Sequence, residues 1–181
     1  EIPALAAAVL SPADGRIVGH IPIQGPDEIA AIAAQLRADQ PEWEALGPDG
    51  RAKHLYAWLD WIFDNEQRIL ELVQNESGKS WGDTSIETMV AVEVINYYCK
   101  HAKEFLADKK FTPHGPAYLG KKLRVHAKPH QLVGIILPWN YPLGMPMMDV
   151  PGALLSGAAV LTKPSEFTPL AWTEVVRGFR E

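Results

Sequence analysis

Hydrophobic residues recur every three to four positions over most of the first hundred residues, which is the spacing of α-helices. Proline and two acids within residues 25–28 mark the start of a helix that runs to about residue 40. A third helix begins with a capping box between Thr84 and Glu87 and runs to about Phe105. Between them, residues 50–74 are predicted to form one helix with an apolar stripe made of Leu55, Leu59, Ile62, Ile69, Leu70 and Val73.

Strands are predicted in two parts of the chain. Near the start, a turn at residues 11–15 leads into a short strand at 17–23. Further along, residues 123–127 alternate in strand fashion. Continuous apolar runs at 132–137 and 158–162 are typical of strands that are buried on both faces.

A helix is predicted after each of these apolar strands. The loop at 138–142 leads into a helix at about 143–156, and a second helix begins at Thr168 and continues to residue 181. Strand, helix, strand and helix in this order predict an α/β fold with the opening of a parallel sheet. Such a sheet needs further strands, so we expect it to be incomplete at the C-terminus and the chain to be the front part of a longer protein.

Composition and charge exclude several classes of protein. The 181 residues are 47% hydrophobic and 22% charged, which is the composition of a globular domain rather than a disordered chain. A formal net charge of −5 argues against a nucleic-acid partner, because such domains are strongly basic. The uncharged stretch 132–148 is interrupted by Pro138, Pro142 and Pro146, so it does not predict a membrane-spanning helix.

The chain has a single cysteine, Cys99, which excludes an internal disulfide, a CxxC redox motif and a cysteine-based zinc site. A reduced, cytoplasmic setting is therefore expected. No motif around Cys99 marks it as a nucleophile, so we interpret it as a structural thiol in the third helix. His101 is interpreted as a packed or half-exposed helix residue, and no metal site is expected.

Two loops that follow the apolar strands carry candidate chemistry, because open α/β sheets bind ligands at the carboxyl ends of their strands. Asn140 in the first loop offers a neutral amide donor to developing negative charge on a carbonyl oxygen, although asparagine is also common in turns. In the second loop, Lys163 and Glu166 could hold vicinal hydroxyls and a phosphate, or could cap the following helix.

Three motifs in order resemble the NAD(P)-dependent aldehyde dehydrogenase superfamily: VGIILPWNYPL at 133–143, GALLSG at 152–157 and VLTKPSEFTP at 160–169. Residues 51–79 are similar to the early helices of that family, and residues 123–128 are similar to its hairpin. The resemblance covers essentially the whole chain, but only the N-terminal third or so of such an enzyme.

The resemblance implies N-terminal helices and a β-hairpin that lead into the first strands of a Rossmann-like parallel sheet. Residues 1–110 would form the mainly helical part of the cofactor-binding domain, and residues 111–130 a hairpin that resembles the oligomerisation element. Residues 131–181 would begin the Rossmann-like dinucleotide-binding sheet. A homodimer or homotetramer of the complete protein is expected.

The resemblance also implies roles for individual residues. Asn140 resembles the asparagine that stabilises the oxyanion beside the backbone N–H of the nucleophilic cysteine. Lys163 and Glu166 resemble the pair that holds the adenosine ribose. Three more residues resemble the wall along the nicotinamide side of the cofactor: Ile136, Leu137 and Trp139. The implied cofactor is NAD, with NADP as the alternative.

Tyr141, Met145 and Met148 resemble the apolar lining of the substrate tunnel, and ordinary core packing of one helix face is an equally weighted interpretation. Ala158 departs from the family, which usually has asparagine there. The catalytic cysteine, the general-base glutamate and the glycine-rich cofactor turn of the family would lie beyond residue 181, and Cys99 does not match the nucleophile.

The resemblance therefore implies the N-terminal part of an oxidoreductase that oxidises a small-molecule aldehyde to a carboxylic acid with NAD(P) through a cysteine thioester. These 181 residues alone are expected to be inactive, because the thioester-forming cysteine is not among them. The alternative hypothesis is a stand-alone, non-catalytic chain that keeps the association surface of the family.

Overall fold

The N-terminal part of the chain forms an antiparallel hairpin. The computed structural model describes residues 5–180, in which Ala6–Leu10 (β1) pairs with Ile17–Pro22 (β2) across the predicted turn. Gly15 in this turn adopts a left-handed conformation with φ of 72°, which glycine tolerates best. β2 agrees with the prediction, but β1 was not predicted, because its alanines are poor strand formers and only pairing with β2 orders them.

Four helices follow: Pro26–Ala45 (α1), Gly47–Asp64 (α2), Glu66–Ser77 (α3) and Trp81–Leu106 (α4). The single helix predicted over 50–74 is wrong, because the chain breaks at Asn65 between α2 and α3. The Asn65 side chain donates to the carbonyl of Trp61 at 2.8 Å and helps to close α2. The apolar stripe continues across the break, since both helices pack into the same core.

The start of α4 differs from the predicted capping box. Ser80 is the N-cap residue, and its hydroxyl accepts the main-chain N–H of Asp83 at 3.2 Å. Thr84 and Glu87 lie further into the helix and are completely buried. The prediction was wrong because Ser80 and Asp83 carry a similar local signature four residues earlier, and because the Glu87 carboxylate binds elsewhere in the fold.

A second antiparallel hairpin joins Lys109–Phe111 (β3) to Leu123–Val125 (β4), with a short 3₁₀ helix at Pro116–Tyr118 between them. This confirms the hairpin that the resemblance implied, although β4 ends two residues before the predicted strand. Four large apolar side chains of the hairpin are exposed: Phe111, Leu119, Leu123 and Val125.

The last part of the chain is the predicted α/β unit. Leu132–Ile136 (β5) and Ala159–Lys163 (β6) form a parallel pair, connected by Gly144–Ser156 (α5) and followed by Leu170–Gly178 (α6). The α/β fold class is thus confirmed. The prediction that β5 is buried on both faces is wrong for residues 5–180. One face packs against the core through Ile135, whereas Ile136 on the other face is 83% exposed.

The core lies where α2, α3 and α4 pack against α5 and α6. Three side chains from α1 and α2 hold the end of α5. Trp43 and Arg51 donate to carbonyls of its last turn at 2.8 and 3.0 Å, and Gln40 donates at 2.8 Å to the carbonyl of the residue that follows the helix, Gly157. Gly157 closes α5 with a φ of 102°. Within residues 5–180, none of the helices combines the length and the apolar character needed to cross a bilayer.

Candidate active site

Two loops leave the same edge of the parallel pair. The first loop (residues 137–143) joins β5 to α5, and the second loop (residues 164–169) joins β6 to α6. Ile136 is paired with Lys163 at the ends of the two strands, and the N–H of Leu137 donates to the carbonyl of Lys163 at 3.0 Å. Both loops therefore begin side by side at the carboxyl ends of parallel strands, which is where open α/β sheets bind ligands.

A hydrogen bond joins the two loops directly. The hydroxyl of Thr168 in the second loop donates to the carbonyl of Trp139 in the first loop at 3.2 Å. Thr168 is only 2% exposed, so this bond is shielded from water. Behind it, Trp172 of α6 donates through Nε1 to the hydroxyl of Thr162 in β6 at 2.9 Å. The loops are thus connected to one another as well as to the strands.

Asn140 lies between Pro138 and Pro142 in the first loop and is exposed. Its side-chain amide makes no hydrogen bond to any of residues 5–180, so the amide is available to a ligand. The two prolines fix one backbone torsion each and restrict the loop around it.

The helix end of the first loop is bound by a carboxylate from α4. Oε2 of Glu87 accepts the main-chain N–H groups of Leu143 and Gly144, each at 2.8 Å, and its other oxygen accepts Nζ of Lys79 at 2.6 Å. The same Nζ lies 3.5 Å from the centre of the Tyr141 ring. The carboxylate of Glu87 thus accepts main-chain N–H groups at the start of α5 that have no partner within the helix, and its negative charge is stabilised by the partial positive charge of the helix N-terminus.

The helix end of the second loop is bound in the same way by Glu76 of α3. Its two oxygens accept the main-chain N–H groups of Leu170 at 2.6 Å and Ala171 at 3.1 Å. Burial, with a smaller contribution from the negative charge of Glu87, raises the pKa of Glu76 to about 7 against the opposing effect of these two hydrogen bonds. Each candidate loop is thus followed by a helix whose first turn is bound to a buried glutamate.

These anchors were not predicted from the sequence. The sequence pattern places Glu87 in a local capping box, and Lys79 is the last residue of the segment 51–79 that resembles the early helices of the family. The one available signal was that acidic residues at 76 and 87 stand on otherwise apolar helix faces. A charge in such a position is rarely buried without a partner.

At the exposed end of β6, Lys163 Nζ lies 3.3 Å from Glu166 Oε2. Both side chains are about two-thirds exposed, at 65% and 67%. Hydrogen bonding from its own main-chain N–H, and then from Lys163, lowers the pKa of Glu166. The carboxylate is consequently ionised at neutral pH and can accept hydrogen bonds from hydroxyl groups.

Comparison with known proteins agrees with this arrangement. Residues 4–181 match the sequence model of the aldehyde dehydrogenase family. The chain belongs to the aldehyde dehydrogenase family. It is 32% identical over 162 residues to mitochondrial succinate-semialdehyde dehydrogenase of Oryza sativa subsp. japonica, which covers 90% of this chain and 30% of that protein.

Two further proteins are similar over most of this chain. A 4,4'-diapolycopene aldehyde oxidase of Methylomonas sp is 31% identical over 160 residues, which is 88% of this chain and 30% of that protein. A crystal structure of an NADP-dependent enzyme of E. coli superposes with a TM-score of 0.90 at 26% identity, over 97% of this chain and 36% of that one. The chain thus spans about a third of the length of the relatives that it matches.

In this aldehyde dehydrogenase chain, the three residues predicted to line the nicotinamide side of the cofactor are not equivalent. Ile136 and Trp139 are 83% and 59% exposed, next to the two loops. Leu137 is only 5% exposed, and its side chain belongs to the hydrophobic core. The side chain of Leu137 is thus not available at this edge of the sheet, and its main-chain N–H is already bound to Lys163, which leaves its main-chain carbonyl.

The three residues predicted for the substrate tunnel lie on one side of the first loop and α5. Tyr141, Met145 and Met148 are 38%, 37% and 52% exposed and lie outside the core cluster of the described residues. Met148 also lines an open groove of about 650 Å³, together with Tyr97 and His101 of α4. Within residues 5–180, the side chains of Tyr141, Met145 and Met148 therefore do not pack in the hydrophobic core, which was the alternative interpretation.

Cys99 lies on α4, half-buried, with its sulfur 4.0 Å from the carbonyl of Ala52. Burial raises the pKa of its thiol to about 11, which keeps it protonated and unreactive at neutral pH. This agrees with the interpretation of Cys99 as a structural thiol. Within residues 5–180, no group of three or more histidine, cysteine and acidic side chains is arranged to hold a metal ion.

Proposed function

We propose that this chain is the N-terminal part of an NAD(P)-dependent aldehyde dehydrogenase and supplies half of an oxyanion site and part of a cofactor site. The enzyme would oxidise an aldehyde to a carboxylic acid through a thioester on a cysteine that lies beyond residue 181. One observation carries the proposal: the Thr168–Trp139 hydrogen bond joins two loops that display Asn140 and the Lys163–Glu166 pair at one edge of a parallel sheet.

Asn140 would be the catalytic residue of this chain. Its exposed amide N–H₂ can donate a hydrogen bond to an aldehyde oxygen as that oxygen gains negative charge during attack by the thiolate. The amide stays neutral, so it stabilises the charge without exchanging a proton. The prolines on either side and the buried contacts at the start of α5 support a fixed position for this donor.

Lys163 and Glu166 would hold the adenosine ribose of the cofactor. The ionised, exposed carboxylate of Glu166 fits a role as acceptor for ribose hydroxyls, and the ammonium group 3.3 Å away fits contact with hydroxyl or phosphate oxygens. Ile136, Leu137 and Trp139 would line the nicotinamide side, with Leu137 contributing its main chain. When bound, NAD(P) supplies the hydride acceptor.

The exposed apolar stripe of Tyr141, Met145 and Met148 would line the path by which the aldehyde enters. Its support is the groove along α4 and α5, which Met148 shares with aromatic residues of α4. An apolar wall suits the hydrocarbon part of a substrate, because it leaves the polar carbonyl group to be recognised by Asn140.

The division of the chain into residues 1–110, 111–130 and 131–181 also stays a proposal. In it, the exposed apolar side chains of the β3–β4 hairpin form the association surface of a homodimer or homotetramer. The cytoplasmic location that was expected from the single cysteine stays a prediction.

The decisive experiment begins with the reading frame after the codon for Glu181. A frame that continues into a glycine-rich turn and a cysteine motif supports the proposal, whereas a stop codon supports the alternative of a non-catalytic chain. The complete product should then form NADH or NADPH only when an aldehyde is added. If a panel of aldehydes gives no reduction of either cofactor, the proposed function is wrong.

A further inference from the structure

The first loop has an unusual support. The Asn140 amide makes no hydrogen bond to the other described residues, yet the residues that follow it are held by one buried ion pair, Lys79–Glu87. Lys79 Nζ packs 3.5 Å from the centre of the Tyr141 ring, and Glu87 binds the N–H groups of Leu143 and Gly144. The ion pair thus reaches the loop directly after Asn140 and again at the start of α5.

The two charges depend on one another. Glu87 is 0% and Lys79 is 17% exposed at the side chain, so neither charge is well hydrated. Removal of one partner of such a pair leaves an uncompensated buried charge, which the protein relieves by local opening and entry of water. The hydrogen bonds that Glu87 accepts are charge-assisted and therefore stronger than those of a neutral acceptor. Local opening here would release the first loop.

We propose that Lys79 and Glu87 are positioning residues, which hold the first loop so that the amide of Asn140 meets the developing oxyanion. This inference rests on the proposed function, in which Asn140 is the donor. In this proposal, the segment between α3 and α4 touches no reacting group but affects the rate of the chemical step through the position of the first loop. Misplacement of a reacting group by about 1 Å can lower a rate by about 10²-fold.

A purely structural role predicts something different. Loss of packing between α4 and α5 would disturb both loops, and with them cofactor binding and the aldehyde step together. A positioning role confines most of the damage to the first loop after Asn140, because the second loop is anchored by Glu76 and, within residues 5–180, is hydrogen-bonded to the first loop only at Trp139, before Asn140. A structural role therefore predicts that kcat and cofactor affinity fall together, whereas a positioning role predicts that kcat falls and cofactor affinity is kept.

The test uses the complete enzyme with Lys79→Met, which keeps an unbranched side chain but removes its charge. We expect kcat to fall about 10- to 100-fold, while the Kd for NAD changes less than about twofold. Lys79→Arg should restore most of kcat, since it keeps the cation beside Glu87 and Tyr141. If Lys79→Met fails to fold, Lys79→Gln replaces it, because its amide can still donate to Glu87 without a charge.

The matched control is Lys103→Met. Lys103 Nζ lies 2.6 Å from Asp49, the same separation as in the Lys79–Glu87 pair, but both side chains are exposed, at 70% and 67%. Its loss should leave kcat unchanged, because exposed ion pairs contribute little. A fall in kcat equal to that of Lys79→Met would overturn the inference.

A double variant tests whether Lys79 acts through Asn140. Residues that act as one unit give non-additive effects. Lys79→Met should therefore lower kcat by less than about twofold in an enzyme that already carries Asn140→Ala. A full additional loss in that background contradicts a positioning role.

Hydrogen exchange separates failure of this inference from failure of the proposed function. In the enzyme without substrate, Lys79→Met should speed exchange of a peptide spanning residues 141–147 about tenfold or more, and a peptide spanning residues 165–172 should not change. If exchange changes in this way but the wild-type enzyme oxidises no aldehyde, the loop anchor is supported and the proposed function is wrong. Unchanged exchange in residues 141–147 rejects the anchor whatever the activity.

Discussion

The main-chain N–H of Leu170 donates to the carboxylate of Glu76 at 2.6 Å, so the first residue of α6 is bound to a side chain that lies 94 positions earlier in the chain. This carboxylate is buried, and its pKa is raised to about 7 from an ordinary value of 4.5. The contact that holds α6 therefore includes a group that titrates near neutral pH.

The first prediction concerns stability and pH. Because the pKa of Glu76 is higher in the folded state, its contribution is fully present below about pH 4.5 and is lost as the pH rises through about 7. Over that range the loss is about 3 kcal/mol, of which about 2 kcal/mol falls between pH 5.5 and 8.5. Glu76→Gln should lose this dependence, since glutamine stays neutral at every pH, although its single carbonyl oxygen replaces only one of the two acceptor oxygens.

Urea unfolding of the complete enzyme and of Glu76→Gln at pH 5.5 and 8.5 checks this prediction. Glu71→Gln is the control, because Glu71 lies on the same helix with an exposed side chain and should keep the wild-type pH dependence. Equal pH dependence of the wild type and Glu76→Gln would show that burial of this carboxylate does not couple to folding.

The second prediction concerns Asn140. In the complete enzyme, Asn140→Ala should lower turnover by about 10²–10³-fold, because one donor to the oxyanion is lost. Cofactor affinity should barely change. Single-turnover acylation measures the affected step. Asn75→Ala serves as the control, because it removes from α3 an amide whose oxygen accepts a hydrogen bond from Arg16. Near-normal acylation by Asn140→Ala would remove this residue from the catalytic step.

The third prediction concerns the choice of cofactor. A carboxylate at Glu166 repels a 2′-phosphate at close range, and Lys163 partly offsets the repulsion, so we expect a modest preference for NAD. Glu166→Gln should raise kcat/KM for NADP relative to NAD by about 3- to 10-fold, and Lys163→Gln should shift it the other way. A clear NADP preference of the wild-type enzyme contradicts the role given to Glu166.

The fourth prediction concerns residues 1–181 expressed alone. They should form no NADH from any aldehyde, because burial raises the pKa of their sole thiol, Cys99, to about 11 and keeps it protonated at neutral pH. They should also associate, since the parallel pair and the β3–β4 hairpin expose apolar side chains such as Ile136 and Phe111. Sizing chromatography combined with the NADH assay tests both parts, and a monomer that oxidises aldehyde would refute them.

The local pattern of hydrophobic and polar residues predicted the two strands of the parallel pair. The strands at Leu132–Ile136 and Ala159–Lys163 are runs of apolar residues, and the order of strands and helices there determines a parallel pair. The candidate loops follow from that order. By contrast, Ala6–Leu10 and Lys109–Phe111 have weak strand signals and are ordered by their partners across a hairpin, which a local pattern does not contain.

The anchors of the loops escaped prediction for a similar reason. Glu87 occupies a position that suits a capping box, and the choice between that local bond and the N–H groups of Leu143 and Gly144 depends on how α4 packs against α5. The bond from Thr168 to Trp139 likewise joins residues 29 positions apart. Such contacts arise only after the helices have packed, so sequence spacing carries little information about them.

The direction of the long contacts has a consequence for synthesis on the ribosome. The groups that bind the ends of α5 and α6, including Gln40, Arg51, Glu76 and Glu87, all precede those helices in the chain. Proteins emerge N-terminus first, at about 5–20 residues per second, so these groups leave the exit tunnel seconds before α5 and α6. We therefore expect α1–α4 to be available first during synthesis, so that α5 and then α6 can pack against them as each leaves the ribosome.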